Sequence, residues 1–477
     1  MKLLKRIFSD SIIYGVSSYL SVVAAIFLTP IYTRILLKTD YGAMDIINTW
    51  ISLVVAILPL GLLNAVVRFY PDFKADPEQR KKYLSAILGV LLMTGLSFLV
   101  LAYFVTDAFT RVFIGDESYN KVVLLGLLVI ALTPIYSYQL QLLRVKMKKW
   151  LFLTVTVINF LILSVLGFVL VYYFSYGIEG FFYASVAGLS VGIVLGFLFN
   201  QERYTLFIEK RIIKELLSYS VHFLSVFLLM QLTFVIDRYL INRYFSLEAN
   251  GVYSIANRIG SMVNIAVGAF GMAWMPYVFN LYKKDFAKEL FRKVYELYLL
   301  VALILVSGIL IFRAELIHFF APDYKGALEA AGLLVIYHFV SGLAYVLTLG
   351  IHIGKKTSIL TKSAIIAVTA NVLSSLLFIQ FMEIEGIALG SLVSAFVWIG
   401  IQYHFSERAY AIKPNLWWIG IILVVFMAIY FGVNFLGEST LFELFLLKMA
   451  LFVLWSGALV LFIIRRFHSV RLDLSEF

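Results

Sequence analysis

The sequence predicts an all-α integral membrane fold with about 14 transmembrane helices. These form two six-helix lobes related by a pseudo-two-fold axis along the membrane normal, followed by two extra C-terminal helices. Three observations predict it. The 477-residue chain is 62% hydrophobic and only 14% charged, against roughly 45–50% apolar and about 25% charged in soluble domains. Its apolar residues gather into stretches of about 20, the length of a membrane-crossing helix. Two sequence patterns also recur at nearly the same spacing.

The apolar stretches centre near residues 22, 54, 94, 130, 162 and 190, then near 229, 265, 303, 338, 368 and 395, with two more near 425 and 453. The first runs from about Ser11 to Leu36 after a basic start, Met1 to Arg6. That is longer than the roughly 7–15 apolar residues of a signal peptide, and no small-residue cleavage site follows. An uncleaved first helix is expected. Basic residues then orient the chain. Loops placed in the cytoplasm hold 29 of the 39 Lys and Arg, in clusters such as Arg80-Lys81-Lys82, Lys148-Lys149, Lys283-Lys284 and Arg465-Arg466. Opposite loops hold only Arg34, Lys38, Arg111, Lys121, Arg243, Arg313 and Lys325. The positive-inside rule therefore predicts N-in and C-in ends.

Internal symmetry groups the helices. Ile178-Glu179-Gly180 recurs as Ile384-Glu385-Gly386, each in a turn facing outward, and Arg34, Gly42, Ile46 and Asn48 recur as Arg243, Gly251, Ile255 and Asn257. The two offsets, 384 − 178 and 243 − 34, agree to within three residues. Repeats of whole helix bundles are the architecture of secondary transporters, with the substrate site at the repeat interface. Six helices per repeat is an even number, so both copies enter the membrane in the same direction. The expected organisation is an N-lobe over 1–200, a linker over 201–217, a C-lobe over 218–406, and helices 13 and 14 with a cytoplasmic tail over 407–477. The linker carries Leu206, Ile212, Ile213, Leu216 and Leu217 among basic residues, which suits an amphipathic helix in the cytoplasmic interface or a plain basic connector.

The outward loops are short, and no soluble domain is inserted. There is no cysteine, and the six histidines form no ligand spacing, so neither a cofactor nor a metal is expected. The net charge of +11 is absorbed by topology signals and lipid headgroups rather than by nucleic acid.

Charges within the spans mark substrate or ion paths. Asp237 and Arg238 lie about two turns from the outer end of helix seven, and Arg258 lies at similar depth in helix eight. Neighbouring helical residues point about 100° apart. One arrangement therefore pairs Asp237 with Arg258 and leaves Arg238 open to a cavity; the alternative is a closed pair that only joins the two helices. Arg34, Asp45 and Asn48 lie at the outer end of the first repeat, where Arg34 either snorkels or faces a cavity. Lys448 in the last helix either snorkels outward or meets a lipid phosphate. Asn159 and Asn371 are expected to form interhelical hydrogen bonds. Pro30, Pro59, Pro134 and Pro276 are sites for bends. Arginine outnumbers acid in this central region, and its planar fork suits phosphate, so the favoured ligand is anionic.

Tyr41-Gly42, Asp237-Arg238, Gly251-Val252-Tyr253-Ser254 leading to Arg258, and the two Ile-Glu-Gly turns together resemble the polysaccharide-transporter, or O-antigen flippase, branch of the multidrug/oligosaccharidyl-lipid/polysaccharide (MOP) exporter superfamily. The resemblance covers nearly the whole chain. It implies a MATE-like fold and a flippase for polyprenyl-diphosphate-linked oligosaccharides (O-antigen, capsule or exopolysaccharide units) in the bacterial cytoplasmic membrane. It implies diphosphate or acidic sugar at Arg238 and Arg258, with Arg34 a further candidate, and sugar contacts at Asp45 and Asn257. It also implies a lipid-tail groove at helices 13 and 14, near Lys448. Partners would be the lipid-linked oligosaccharide, membrane lipids, and polymerase and chain-length machinery. Asp237 and Asp45 are the candidates for coupling transport to a proton or sodium gradient, and a buried ion pair explains Asp237 equally well. The rival classes are a drug/cation antiporter of the same fold, which would need buried acids, a membrane polymerase or ligase, which would need large outward catalytic loops, and a passive assembly scaffold.

Overall fold

The computed structural model describes residues 28–70, 73, 76–205, 209–220, 224–354, 356, 358–413 and 442–467, and the regular structure among them is helical with no strand. Most of the expected first helix, all of helix 13, and Lys2, Lys5, Arg6, Lys74, Leu206, Lys355 and Arg471 lie outside the described residues. So do the details of the Arg68 and Pro276 side chains.

Nine helices among the described residues are long and apolar enough to cross a membrane: Pro77–Ile114, Glu117–Val145, Lys149–Tyr173, Gly177–Asn200, Ala287–Ile311, Lys325–Leu347, Ser358–Phe378, Ile384–Ala409 and Phe445–Arg465. Each contains one of the predicted centres. The chain is a multi-pass membrane protein. The spans expected near 54 and 265 are also helical, but each is broken. The first breaks at Pro59, which has no N–H to continue the ladder, and Leu60 and Gly61 then take φ of 51° and 74°. The second breaks at Met262, between helices ending at Ser261 and starting at Val263.

The chain divides into two compact units, Met1–Val252 and Tyr253–Phe477. The first contains α1 (Lys38–Ile57), α2 (Leu62–Phe69), α3 (Pro77–Phe109), α4 (Asn120–Val145), α5 (Lys149–Leu161), α6 (Gly177–Asn200), α7 (Lys210–Ser220) and α8 (Leu224–Tyr244). Helix α9 (Leu247–Ser261) begins there. The second contains α10 (Val263–Leu281), α11 (Ala287–Ile311), α12 (Arg313–Phe320), α13 (Leu328–Gly342), α14 (Ser358–Phe378), α15 (Ile384–Ala409) and α16 (Phe442–Phe467). Local chemistry sets the start of the longest helix, α3. The Asp76 carboxylate accepts from the Gln79 N–H at 3.0 Å, and Pro77 sits at the first helical position, where a missing N–H costs nothing.

The two Ile-Glu-Gly copies occupy equivalent places, each within its own unit. Each glutamate lies in the first turn of its helix, α6 or α15, where a negative charge meets the positive end of the helix dipole. Each glycine lies against the end of the preceding helix. A Cβ on Gly180 would come within 3.0 Å of Leu170, and one on Gly386 within 2.9 Å of Phe378. Polar residues join neighbouring helices elsewhere: the Asn371 amide donates to Ser391 Oγ at 3.2 Å, and the Gln402 amide donates to Ser363 Oγ at 3.0 Å.

The linker is helical and amphipathic, but its apolar face does not lie in lipid. Ile212 and Leu216 of α7 are buried with Leu62 and Val66 of α2, Ile87 of α3 and Leu142 of α4. Polar ties reinforce the docking. Tyr83 donates to the Glu215 carboxylate at 2.7 Å, and Lys82 donates to Glu209 at 2.7 Å. The hydrogen bond from Lys82 holds the Glu209 carboxyl below its usual pKa. Glu202, just upstream, pairs with Lys146 at 2.5 Å and Arg80 at 3.4 Å. Apolar side chains of α2, α3 and α4 pack against Ile212 and Leu216 and take them out of solvent. Ile212→Asp is accordingly expected to destabilise the protein by about 3 kcal/mol, through an unpaired charge in a packed core. Lys214→Asp, on the exposed face, is expected to change little. Thermal unfolding of the two variants in detergent checks this.

Candidate functional site

The second repeated pattern forms an unusually close helix crossing. In the unit Met1–Val252, the first turn of α1 lies against the first turn of α9. A Cβ on Gly42 would collide with the Leu247 carbonyl, and one on Gly251 would collide with the Lys38 carbonyl. Each would also lie 3.0–3.3 Å from the other glycine's nitrogen. Residues 38 and 42 match 247 and 251 in the repeat, so the contact is symmetric about a local two-fold axis. Small residues that let backbones touch are a common means of membrane helix association.

Around this crossing the polar groups are paired. Arg238 of α8 donates from Nε to Asp45 Oδ2 at 2.9 Å, with 5% and 16% of the two side chains exposed. The Asn250 amide donates to the Arg238 carbonyl at 3.2 Å. The Arg238 guanidinium also lies 5.8 Å from the centre of the Phe234 ring, within cation–π range. Lys38 meets Glu248 at 3.1 Å on the surface, a contact worth at most about 1 kcal/mol. Asn242 donates to the carbonyls of Phe113 and Ile114 at 2.8 and 3.1 Å. Those carbonyls end a π-helical turn, Thr110–Ile114, and as the last of their helix they lack intrahelical donors. Trp50 packs edge-on against Phe113 at 4.6 Å.

This geometry corrects two expectations, for Arg238 and Lys448, and specifies others. Arg238 does not stand open to a cavity; it is buried, because Asp45 approaches it from α1 and neutralises it where hydration is lost. Asp237 is buried as well. Arg34 is exposed and donates to the Pro30 carbonyl at 2.9 Å. Asn48 is half-buried, and its carbonyl accepts from Ser52 Oγ at 2.9 Å. Arg258 is half-buried one turn after Ser254. Asn257 Oδ1 lies 3.2 Å from His338 Nε2. Lys448 does not snorkel. Its side chain is 3% exposed and meets Glu315 at 2.7 Å, which fixes α16 to α12. Trp455 donates to Ser307 Oγ at 2.8 Å and ties α16 to α11 as well.

Sequence reasoning missed three partners: Asp45 for Arg238, Glu315 for Lys448, and His338. None had a legible signal, because each partner stands on a different helix: Asp45 on α1 and Arg238 on α8, Glu315 on α12 and Lys448 on α16, His338 on α13 and Asn257 on α9.

A family model described as polysaccharide biosynthesis protein matches residues 7–282. The chain belongs to this family. Among the curated proteins, none matches the sequence. Among solved structures, the lipid II flippase MurJ in an inward closed conformation is similar with a TM-score of 0.72 and 16% identity, over 96% of this chain and 99% of that one. An inward-facing multidrug resistance MATE family transporter of the MOP superfamily is similar with a TM-score of 0.63 and 14% identity, over 83% and 95% of the two chains. At these identities the likeness is one of fold: the chain has the MATE-like fold that these two structures share.

Removing one partner of a buried ion pair strands the other, at a cost of about 3–5 kcal/mol. Asp45→Ala and Arg238→Ala are each expected to lower the unfolding temperature, while the charge-exchanged double variant Asp45→Arg/Arg238→Asp recovers part of the loss. A double-mutant cycle on unfolding midpoints in detergent measures the coupling.

Proposed function

We propose that the chain is a flippase that carries a polyprenyl-diphosphate-linked oligosaccharide across the bacterial cytoplasmic membrane by alternating access, with both chain ends in the cytoplasm. The observation that carries this proposal is the buried Arg238–Asp45 pair beside the symmetric Gly42–Gly251 crossing. Family membership adds the polysaccharide context.

The physics runs from the substrate inward. A diphosphate sugar headgroup is too polar to cross hydrocarbon, while its isoprenoid tail can remain in lipid. The protein must supply only a cationic, hydrated path, and no bond is made or broken. With both chain ends in the cytoplasm, the α1–α9 crossing lies at the outer ends of the helices. In that orientation the crossing and the ion pair hold the outer side shut. Asp45 keeps Arg238 neutralised while the substrate is absent, at the cost of one carboxylate charge. A diphosphate carries more negative charge and offers the guanidinium two parallel acceptors. It therefore competes with Asp45, and the exchange releases α1 from α8. Energy for the shift is limited to the substrate's differential affinity for the two states. Lys448 is committed to Glu315, so α16 serves this cycle as a fixed helix rather than as a source of a free cation for the lipid.

Cells depleted of the protein are expected to accumulate a polyprenyl-diphosphate oligosaccharide and to lose the corresponding polymer, as read by lipid extraction and mass spectrometry. Arg238→Ala is expected to fail to reverse that accumulation while still inserting in the membrane. If no such lipid accumulates and the cells instead become sensitive to cationic drugs, an antiporter function replaces this one.

A further inference from the structure

In the unit Tyr253–Phe477, His338 of α13 bridges the two sides of a helix break. It is 5% exposed. Its Nε2 lies 3.2 Å from Asn257 Oδ1, on the last turns of α9. Its Nδ1 lies 3.1 Å from Asn264 Nδ2, on the first turn of α10. Between the two asparagines the ladder slips at Met262, whose N–H reaches Ile259 three residues back at 3.2 Å. The bonds fit one state of the ring: neutral, with its proton on Nε2. In that state Nε2–H donates to the Asn257 carbonyl, and Nδ1 accepts from the Asn264 amino group.

The consequence concerns the atoms left over. With its Oδ1 engaged, Asn257 has its amino group to offer. With its Nδ2 engaged, Asn264 has its carbonyl to offer. Asn257 is half-buried and Asn264 is exposed. An amide facing hydrocarbon part-way along a span costs several kcal/mol, a cost that a polar ligand or water at this face removes. A donor on one amide and an acceptor on the other match neighbouring hydroxyls, each of which both donates and accepts. They do not match an anion, which needs donors alone.

We propose that Asn257 and Asn264 form a contact site for the hydroxyls of a neutral sugar, with His338 as the positioning residue that fixes both amides across the break. The site rests on the flippase function above and assigns it a sugar-reading element separate from the arginines. It contributes selectivity for glycan over bare lipid diphosphate.

The test uses the full chain in lipid nanodiscs and two probes: polyprenyl diphosphate without sugar, and the same lipid carrying one neutral hexose. Titration by native mass spectrometry is expected to show the hexose-bearing lipid bound about tenfold more tightly, equivalent to about 1.4 kcal/mol. Asn264→Ala and His338→Leu should abolish that preference without changing affinity for the bare lipid. His338→Gln, which keeps one donor and one acceptor, should retain much of it. The site is overturned if Asn264→Ala, an exposed substitution that leaves the fold intact, keeps the full preference. It is also overturned if the wild-type protein binds bare lipid but shows no preference, which leaves the flippase function standing. Binding of neither probe would overturn both.

Discussion

The close approach of Gly42 and Gly251 is the contact on which the described arrangement of α1, α8 and α9 depends. A side chain at either position would push the two helices apart by the width of a methyl group or more. That displacement would separate Asp45 from Arg238, whose 2.9 Å contact tolerates little, and would leave a buried guanidinium without its counter-charge. The ion pair therefore needs the glycines, and the glycines leave a contact with little side-chain packing of its own. Each stabilises what the other cannot.

A pattern runs through the described polar groups of the spans. Arg238 with Asp45, Lys448 with Glu315, and His338 with two asparagines are all matched within the protein. Low dielectric explains this, because an unpaired charge or amide there costs more than any surface interaction returns. Matching also separates two kinds of polar group. Those whose partners are other helices define how the helices meet. Those with a donor or acceptor left over at an accessible side chain, as proposed for Asn257 and Asn264, are available to a ligand.

Helix breaks carry a second division. Pro59 interrupts the span near residue 54 for a covalent reason visible in the chain. The break at Met262 has no proline, and the hydrogen bonds of His338 to both sides identify it as a supported feature. The π turn at Thr110–Ile114 is similar, since its freed carbonyls are met by Asn242 from a distant part of the sequence. Such features depend on residues far apart in the chain, and periodicity within one segment carries no record of them.

By itself the sequence determined that the chain is helical and membrane-embedded, where the nine described spans lie, and that two copies of one pattern recur. Those properties follow from local composition, helix length and spacing, and the hydrocarbon admits few other solutions. Tertiary structure decided the rest. It turned the linker's apolar face toward α2 and α3 instead of lipid, and it gave Arg238 to Asp45, 193 residues away. It buried Lys448 against Glu315 and joined His338 to Asn257 and Asn264. Which charge meets which is set by helix rotation and crossing, and a rotation of about 100° per residue separates a lipid-facing cation from a paired one without any change in hydropathy.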